Sequence, residues 1–153
     1  MKDYSLKSYK GRFTPKNWEK YKGDATNITY RSLLELRFMV YLDKTNEILE
    51  WSSEEIVVPY VSPLDRRQHR YFVDFFVRKR MSDGSVQCSL VEIKPKGQTY
   101  APKIPKKKTR KYLTEVMTWG VNSAKWEAAH AYCVYRGWTF QIITDHDLGI
   151  TYK

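Results

Sequence analysis

The sequence predicts an α/β domain in which a mixed central β-sheet is flanked by helices. Three observations lead there. The chain reads helix, strand, hairpin, helices, strand, an order that layers helices on a sheet. Its centre is a hairpin whose arms, RYFVDFFVRK from Arg70 and VQCSLVEIK from Val86, flank a turn at Met81-Ser82-Asp83-Gly84. A chain of 153 residues, 42% hydrophobic and 15% aromatic, can also bury a real core. No internal repeat and no second domain can be made out, so residues 1–153 are expected to form one unit, with 1–22 as a basic-aromatic arm.

Composition narrows the function. The net charge of +10 favours a polyanionic partner, most simply DNA or RNA, although an acidic protein would also serve. No run of about 18 apolar residues exists, so a membrane span is not expected. The opening MKDYSLKSYKGRF lacks the apolar stretch of a secretory signal. Cys88 and Cys133 are too few and too separated for a disulfide framework or a cysteine-rich zinc site. They read as buried thiols of a cytosolic protein.

Residues 1–22 carry seven Lys or Arg against two acids, interleaved with Tyr4, Tyr9, Phe13, Trp18 and Tyr21. Such an arm can track phosphates and stack on bases, or it can pack over the domain with its charges solvated. Gly23-Asp24 marks a turn. Tyr30 to Asp43 is the first helix: Ser32 and Glu35 fit a capping box, and Leu34, Phe38, Tyr41 and Leu42 form an apolar stripe. Glu47 to Trp51 reads as a helical turn or an extended link. Glu55 to Tyr60 reads as a strand, with Pro59 suiting an edge. Val61 to His69 is a polar loop, and the hairpin follows.

Beyond it, residues 94–111 hold eight Lys or Arg and no acid. Pro102 and Pro105 forbid a continuous helix there until about Lys106. Thr109 to Trp119 and Asn122 to Arg136 read as two helices with Gly120 as a break and Gly137 as the C-terminal cap. Trp138 to Thr144 alternates as a last strand, and Asp145 is placed to cap a short final turn.

The chemistry concentrates in the hairpin. Period-two alternation puts Glu92 and Lys94 on one face, with Ile93 turned away. Asp74 on the other arm adds a second carboxylate among apolar strands, where bare charge is expensive. Oxygen donors of this kind suit a hard divalent cation such as Mg²⁺. Asp74 and Glu92 could hold it, the Ile93 carbonyl could be a further ligand, and Glu35 could complete the site directly or through water. A metal there could generate hydroxide and polarise a phosphoryl oxygen, with Lys94 lowering the pKa of the attacking water or facing the developing charge. For Glu35 taken alone, the capping-box role is the preferred reading. Asp74 could also be a buried acid paired to Lys94, though that leaves Glu92 unpaired. The downstream loop, with Lys96, Lys103, Lys106, Lys107, Lys108, Arg110 and Lys111, could hold phosphates next to the acids, or simply be solvated.

V-D-F-F followed after a hairpin by V-E-I-K, with a glutamate on the preceding helix, resembles the PD-(D/E)xK nuclease motif; Val73 stands where that motif has its proline. Phe13-Thr-Pro-Lys-Asn-Trp, Tyr30-Arg-Ser, Tyr71-Phe-Val-Asp-Phe-Phe, Val91-Glu-Ile-Lys-Pro, Ala101-Pro-Lys and Asn122-Ser-Ala-Lys-Trp-Glu-Ala-Ala resemble the head-completion nucleases of T-even-like tailed bacteriophages over nearly the whole chain. The core is more distantly similar to the endonuclease subunit TnsA of cut-and-paste transposons. The resemblance implies a restriction-endonuclease-like fold and a metal-dependent DNA endonuclease that trims or finishes packaged DNA. It implies Glu35, Asp74, Glu92 and Lys94 as catalytic residues, with Mg²⁺ as cofactor and Mn²⁺ as a substitute. Gln98, four residues past Lys94, would either support the site residues from behind or join the basic loop as a DNA contact. The implied partners are DNA and phage head or portal-vertex proteins, in the host cytoplasm during assembly or on the virion. The alternative is a non-catalytic DNA-binding assembly protein that keeps the nuclease fold at the portal vertex.

Overall fold

The computed structural model describes residues 10–149. The first nine residues of the expected arm lie outside that range. A four-stranded sheet in the order β3-β6-β7-β8 forms the centre, built from β3 (Ile48–Ser53), β6 (Phe75–Arg80), β7 (Val86–Ile93) and β8 (Thr139–Ile143). β3, β6 and β7 run antiparallel, whereas β7 and β8 are parallel, so the sheet is mixed. Two small antiparallel ribbons complete the strands: β1 (Gly11–Phe13) with β2 (Ile28–Tyr30), and β4 (Val57–Val61) with β5 (Gln68–Phe72).

Alternation along β6 and β7 feeds two cores. Phe75, Val77, Val91 and Ile93 face Leu34, Phe38 and Leu42 of α1 (Leu33–Lys44), together with Trp51 of β3. Phe76 and Leu90 point the other way, packing with Tyr71, Val73 and with Ala129 and Cys133 of α2 (Arg110–Arg136). The two helices therefore cover opposite faces, the three-layer arrangement expected.

Several boundaries differ from the sequence reading, each for a physical reason. The helix starts at Leu33, because Tyr30 is taken by β2 and Ser32 is the N-cap. The link after α1 is strand β3, because Trp51 is fully buried beneath Phe13, Tyr21 and Phe75. Gln68 and His69 belong to β5 rather than to the loop. The expected first arm of the hairpin splits after Phe72: β5 pairs with β4, and β6 pairs with β3 and β7. The Asp83-Gly84 turn forms as expected, with Gly84 at φ 87°. Gly120 does not break α2, which runs unbroken from Arg110 to Arg136; a mid-helix glycine costs only about 1 kcal/mol. Asp145 does not cap the last turn. Its Oδ1 accepts from the Lys96 N–H at 2.9 Å, and Asp147 accepts from Thr144 instead. Cys133 is buried as expected, and Cys88 only partly so.

The described part of the arm packs on the domain. Asp43 at the end of α1 accepts from the Lys16 and Asn17 N–H groups. The Lys20 ammonium donates to the carbonyls of Leu42, Asp43 and Thr45, satisfying acceptors that the helix end leaves open.

Gly137 ends α2 in the left-handed region, φ 71°, and the Trp138 N–H returns to the Cys133 carbonyl at 2.8 Å. A Cβ at that φ is strained, so Gly137→Ala is expected to cost about 1 kcal/mol, roughly 2–4 °C in Tm. Thermal melts of the two proteins check this; an unchanged Tm would remove the argument from the cap.

Candidate active site

The site forms where β7 outruns its neighbour. β6 begins at Phe75, paired with Val91, so the Ile93 N–H meets no strand residue on that side. It donates instead to Asp74 Oδ2 at 2.8 Å. The Asp74 backbone is itself pinned: its carbonyl accepts from the Glu54 N–H at 3.1 Å, while Val73 N–H donates to the Ile56 carbonyl. In an extended strand the N–H and C=O of one residue point to the same edge, so the Ile93 carbonyl also faces the Asp74 side.

Glu92 alternates to the α2 face of β7 and is only 6% exposed. Its Oε2 accepts from the Tyr71 hydroxyl, and Lys94 Nζ lies 3.6 Å from its Oε1. The expectation that Glu92 and Lys94 share a face is met. Lys125 of α2 stands over the rings of Tyr71 and Tyr60, at 5.5 and 5.8 Å from their centroids, and its charge acts on Glu92.

Glu35 occupies the first turn of α1. Ser32 Oγ accepts from its N–H at 3.1 Å, as a capping box requires, but the return bond comes from Arg31 N–H to Glu35 Oε2 at 3.0 Å. The Arg31 guanidinium pairs with Glu54, a residue at φ 57°. Glu35 is thus a cap and also a neighbour of the acidic cluster: its charge acts on Asp74, and that of Glu92 acts on it.

Burial pushes the Asp74 carboxyl well above the ordinary range, and the charge of Glu92 pushes it further; the Ile93 N–H pulls the other way. Glu92 is raised, chiefly by burial, against the opposing pull of Tyr71, Lys94 and Lys125. Glu35 is raised too, again chiefly by burial. Tyr71 is pushed up by burial and by Glu92, so its hydroxyl stays a donor. Three acids all held toward their neutral forms are a frustrated set: each would ionise more readily beside a cation.

That donor chemistry fits a hard divalent ion. Asp74 and Glu92 offer carboxylate oxygens, the Ile93 carbonyl faces the same edge, and Glu35 adds charge from α1. As the side chains stand, no three His, Cys, Asp or Glu groups among the described residues close on one point. Protein donors hold Asp74 Oδ2 and Glu35 Oε2, and Tyr71 and Lys94 flank the Glu92 carboxylate.

The basic residues Lys96, Lys103, Lys106, Lys107, Lys108, Arg110 and Lys111, and Gln98 with them, are all exposed on the segment from Lys94 to the first turn of α2. That first turn has no acid, and Thr109 Oγ1 accepts from the Tyr112 N–H, so the positive end of the helix dipole adds to the ribbon of cations.

Three contributors escaped the sequence reading. Tyr71 sits three residues before Asp74 and in step with Val73, a pattern that could have flagged it as inward-facing. Lys125 carried a weaker signal, a cation among the small and aromatic residues of α2. Glu54 carried none, since its contact with Arg31 spans 23 residues.

Residues 45–145 match the family described as TnsA-like endonuclease N terminal. Asp74, Glu92 and Lys94 lie within that span and Glu35 before it. A head completion nuclease of Enterobacteria phage T4 is 41% identical over 145 residues, covering 92% of this chain and 94% of that protein.

Proposed function

Since the chain belongs to the family of head completion nucleases and TnsA-like endonucleases, we propose that it is a metal-dependent endodeoxyribonuclease that hydrolyses phosphodiester bonds to trim or finish packaged DNA during head completion. The observation that carries the metal requirement is the pair of carboxylates, Asp74 and Glu92, withdrawn from water side by side with both pKa values raised. Scaffolding alone gives no reason to collect such charge, because an uncompensated buried carboxylate is costly.

In this reading Asp74, Glu92 and the Ile93 carbonyl hold Mg²⁺, which Mn²⁺ can replace, and Glu35 reaches it directly or through water. The bound ion supplies Lewis acidity and an acidified water. Lys94 faces the attacking water and the negative charge that grows on the phosphoryl oxygens as the new P–O bond forms and the sugar oxygen leaves. Tyr71 holds the Glu92 carboxylate in one orientation, as partners of metal ligands commonly do. Lys96, Lys103, Lys106, Lys107, Lys108, Arg110 and Lys111 guide the strand across the site, which accords with the charge of +10.

Residues 1–153 act as one nuclease domain on DNA, with phage head or portal-vertex proteins as the docking partners. The reaction takes place in the infected host's cytoplasm, and the enzyme can accompany the virion. No helix among the described residues is long and apolar enough to cross a membrane.

Incubating the purified chain with duplex, branched and single-stranded DNA tests the reading. Cleavage is expected with Mg²⁺ and not with EDTA, and it is expected to vanish in Glu92→Ala. Equal cutting by Glu92→Ala would discard the site. No cutting of any substrate by the wild type would leave an assembly protein on a nuclease fold.

A further inference from the structure

Beside the acidic cluster, the segment after β7 leaves a cavity of about 400 Å³ against the middle of α2. Gln98, Tyr100 and Pro102 form one wall, and Thr118, Trp119 and Asn122 the other. Pockets for small organic ligands span about 300–1,000 Å³, so the volume suits a single ring system. The cavity adjoins the site: Gln98 follows Lys94 by four residues, and Asn122 shares a helix face with Lys125, whose charge acts on Glu92.

Asn122 is only 9% exposed and lines the cavity. A side-chain amide at the wall of a cavity can meet a ligand that offers both a donor and an acceptor. Two aromatic rings frame the same space: Tyr100 is 55% exposed, and Trp119 is braced edge-on by Trp126 at 5.7 Å. The lining has no Lys or Arg and does include Glu115, so it repels a phosphate. The cations stand outside it, on the loop.

We propose that this cavity receives one unpaired nucleobase, so that the active site takes its strand where the DNA is single-stranded; the inference rests on the nuclease reading above. Tyr100 and Trp119 supply stacking faces, Asn122 meets the base edge, and the loop lysines hold the flanking phosphates. A paired base has its edge and faces already engaged, and it enters only after flipping out of the stack.

Fluorescence anisotropy in EDTA separates base binding from cutting. The full chain is titrated into a labelled oligothymidylate, an abasic strand of equal length and a blunt hairpin duplex. The wild type is expected to bind the oligothymidylate roughly tenfold more tightly than the abasic strand, the size of one base–aromatic stack. Tyr100→Ala, at an exposed position, and Asn122→Ala are expected to erase that preference and leave duplex affinity unchanged. Equal affinity of the wild type for oligothymidylate and abasic strand would overturn the pocket, as would a Tyr100→Ala protein weakened equally on all three probes. Cutting of the same probes with Mg²⁺ reports the nuclease reading by itself. Cleavage without base preference keeps the nuclease and removes the pocket; base preference without cleavage does the reverse.

Discussion

Asp74→Asn is expected to silence DNA cleavage by at least about 10³-fold and, in EDTA near neutral pH, to melt higher than the wild type. The two effects have one origin. Asparagine loses the charge proposed to hold the metal, yet its side-chain oxygen can still accept from the Ile93 N–H that now meets Asp74 Oδ2. The native Asp74 carboxyl titrates well above the ordinary range, whereas the unfolded chain releases that proton at about pH 4. Between those points the folded protein binds more protons than the unfolded one, so its stability falls as pH rises through the window. The substituted amide has no proton to lose and escapes that decline. The gain is expected to be about 1 kcal/mol, roughly 2–4 °C. Melting curves of the two proteins should converge at about pH 4 and separate toward neutrality. A variant that is inactive and also less stable at neutral pH would mean that Asp74 is a structural acid, not a strained ligand.

The second large effect belongs to Lys94. Its ammonium lies 3.6 Å from Glu92 Oε1 and, after the Tyr71 hydrogen bond, is the largest influence holding the Glu92 carboxyl down against burial. Lys94→Met keeps the bulk and removes the charge. The cleavage rate is expected to fall about 10²- to 10³-fold, the loss typical of one charge-stabilising group in a dry site. In the proposed mechanism Glu92 acts ionised, and without Lys94 its pKa rises further. The acid limb of the remaining activity therefore moves to higher pH. Rate–pH profiles of wild type and variant measure the shift. An acid limb that stays in place would show that Lys94 does not act on Glu92.

Local rules made much of this legible in advance. Asp83-Gly84 marked the hairpin, Ser32 and Glu35 marked the capping box though not the first helical residue, and alternation put Glu92 and Lys94 on one face; each depends on neighbours within a few residues. What escaped notice depends on distant partners. The run RYFVDFF reads as one strand because Asp74 is the sole interruption of its apolar stretch from Tyr71 to Phe76 and no turn residue divides it. Only pairing to β4 on one side and to β3 and β7 on the other divides it at Asp74. Tyr71 reaches Glu92 across 21 residues, and the intervening sequence gives no sign of it. Gly120 looked like a helix end because its propensity is poor, but further along the helix Asn122, Ala129 and Cys133 are buried, and that packing outweighs the local preference. Residues 1–22 read equally as a phosphate-tracking arm or as one packed over the domain, and only distant contacts decide: Lys20 is committed to the carbonyls that end α1.

The parallel partner of β7 carries a consequence for how the enzyme comes into being. Lys94 N–H is held by the Ile143 carbonyl and Lys96 N–H by Asp145, so the strand bearing the reactive groups waits for a segment made 49 residues later. During translation the hairpin emerges early, but its open flank stays unzipped until the long helix has been spun out and the chain has doubled back. A nascent chain stalled before that return is therefore expected to cut no DNA, which a chain truncated before Thr139 would check in a cleavage assay.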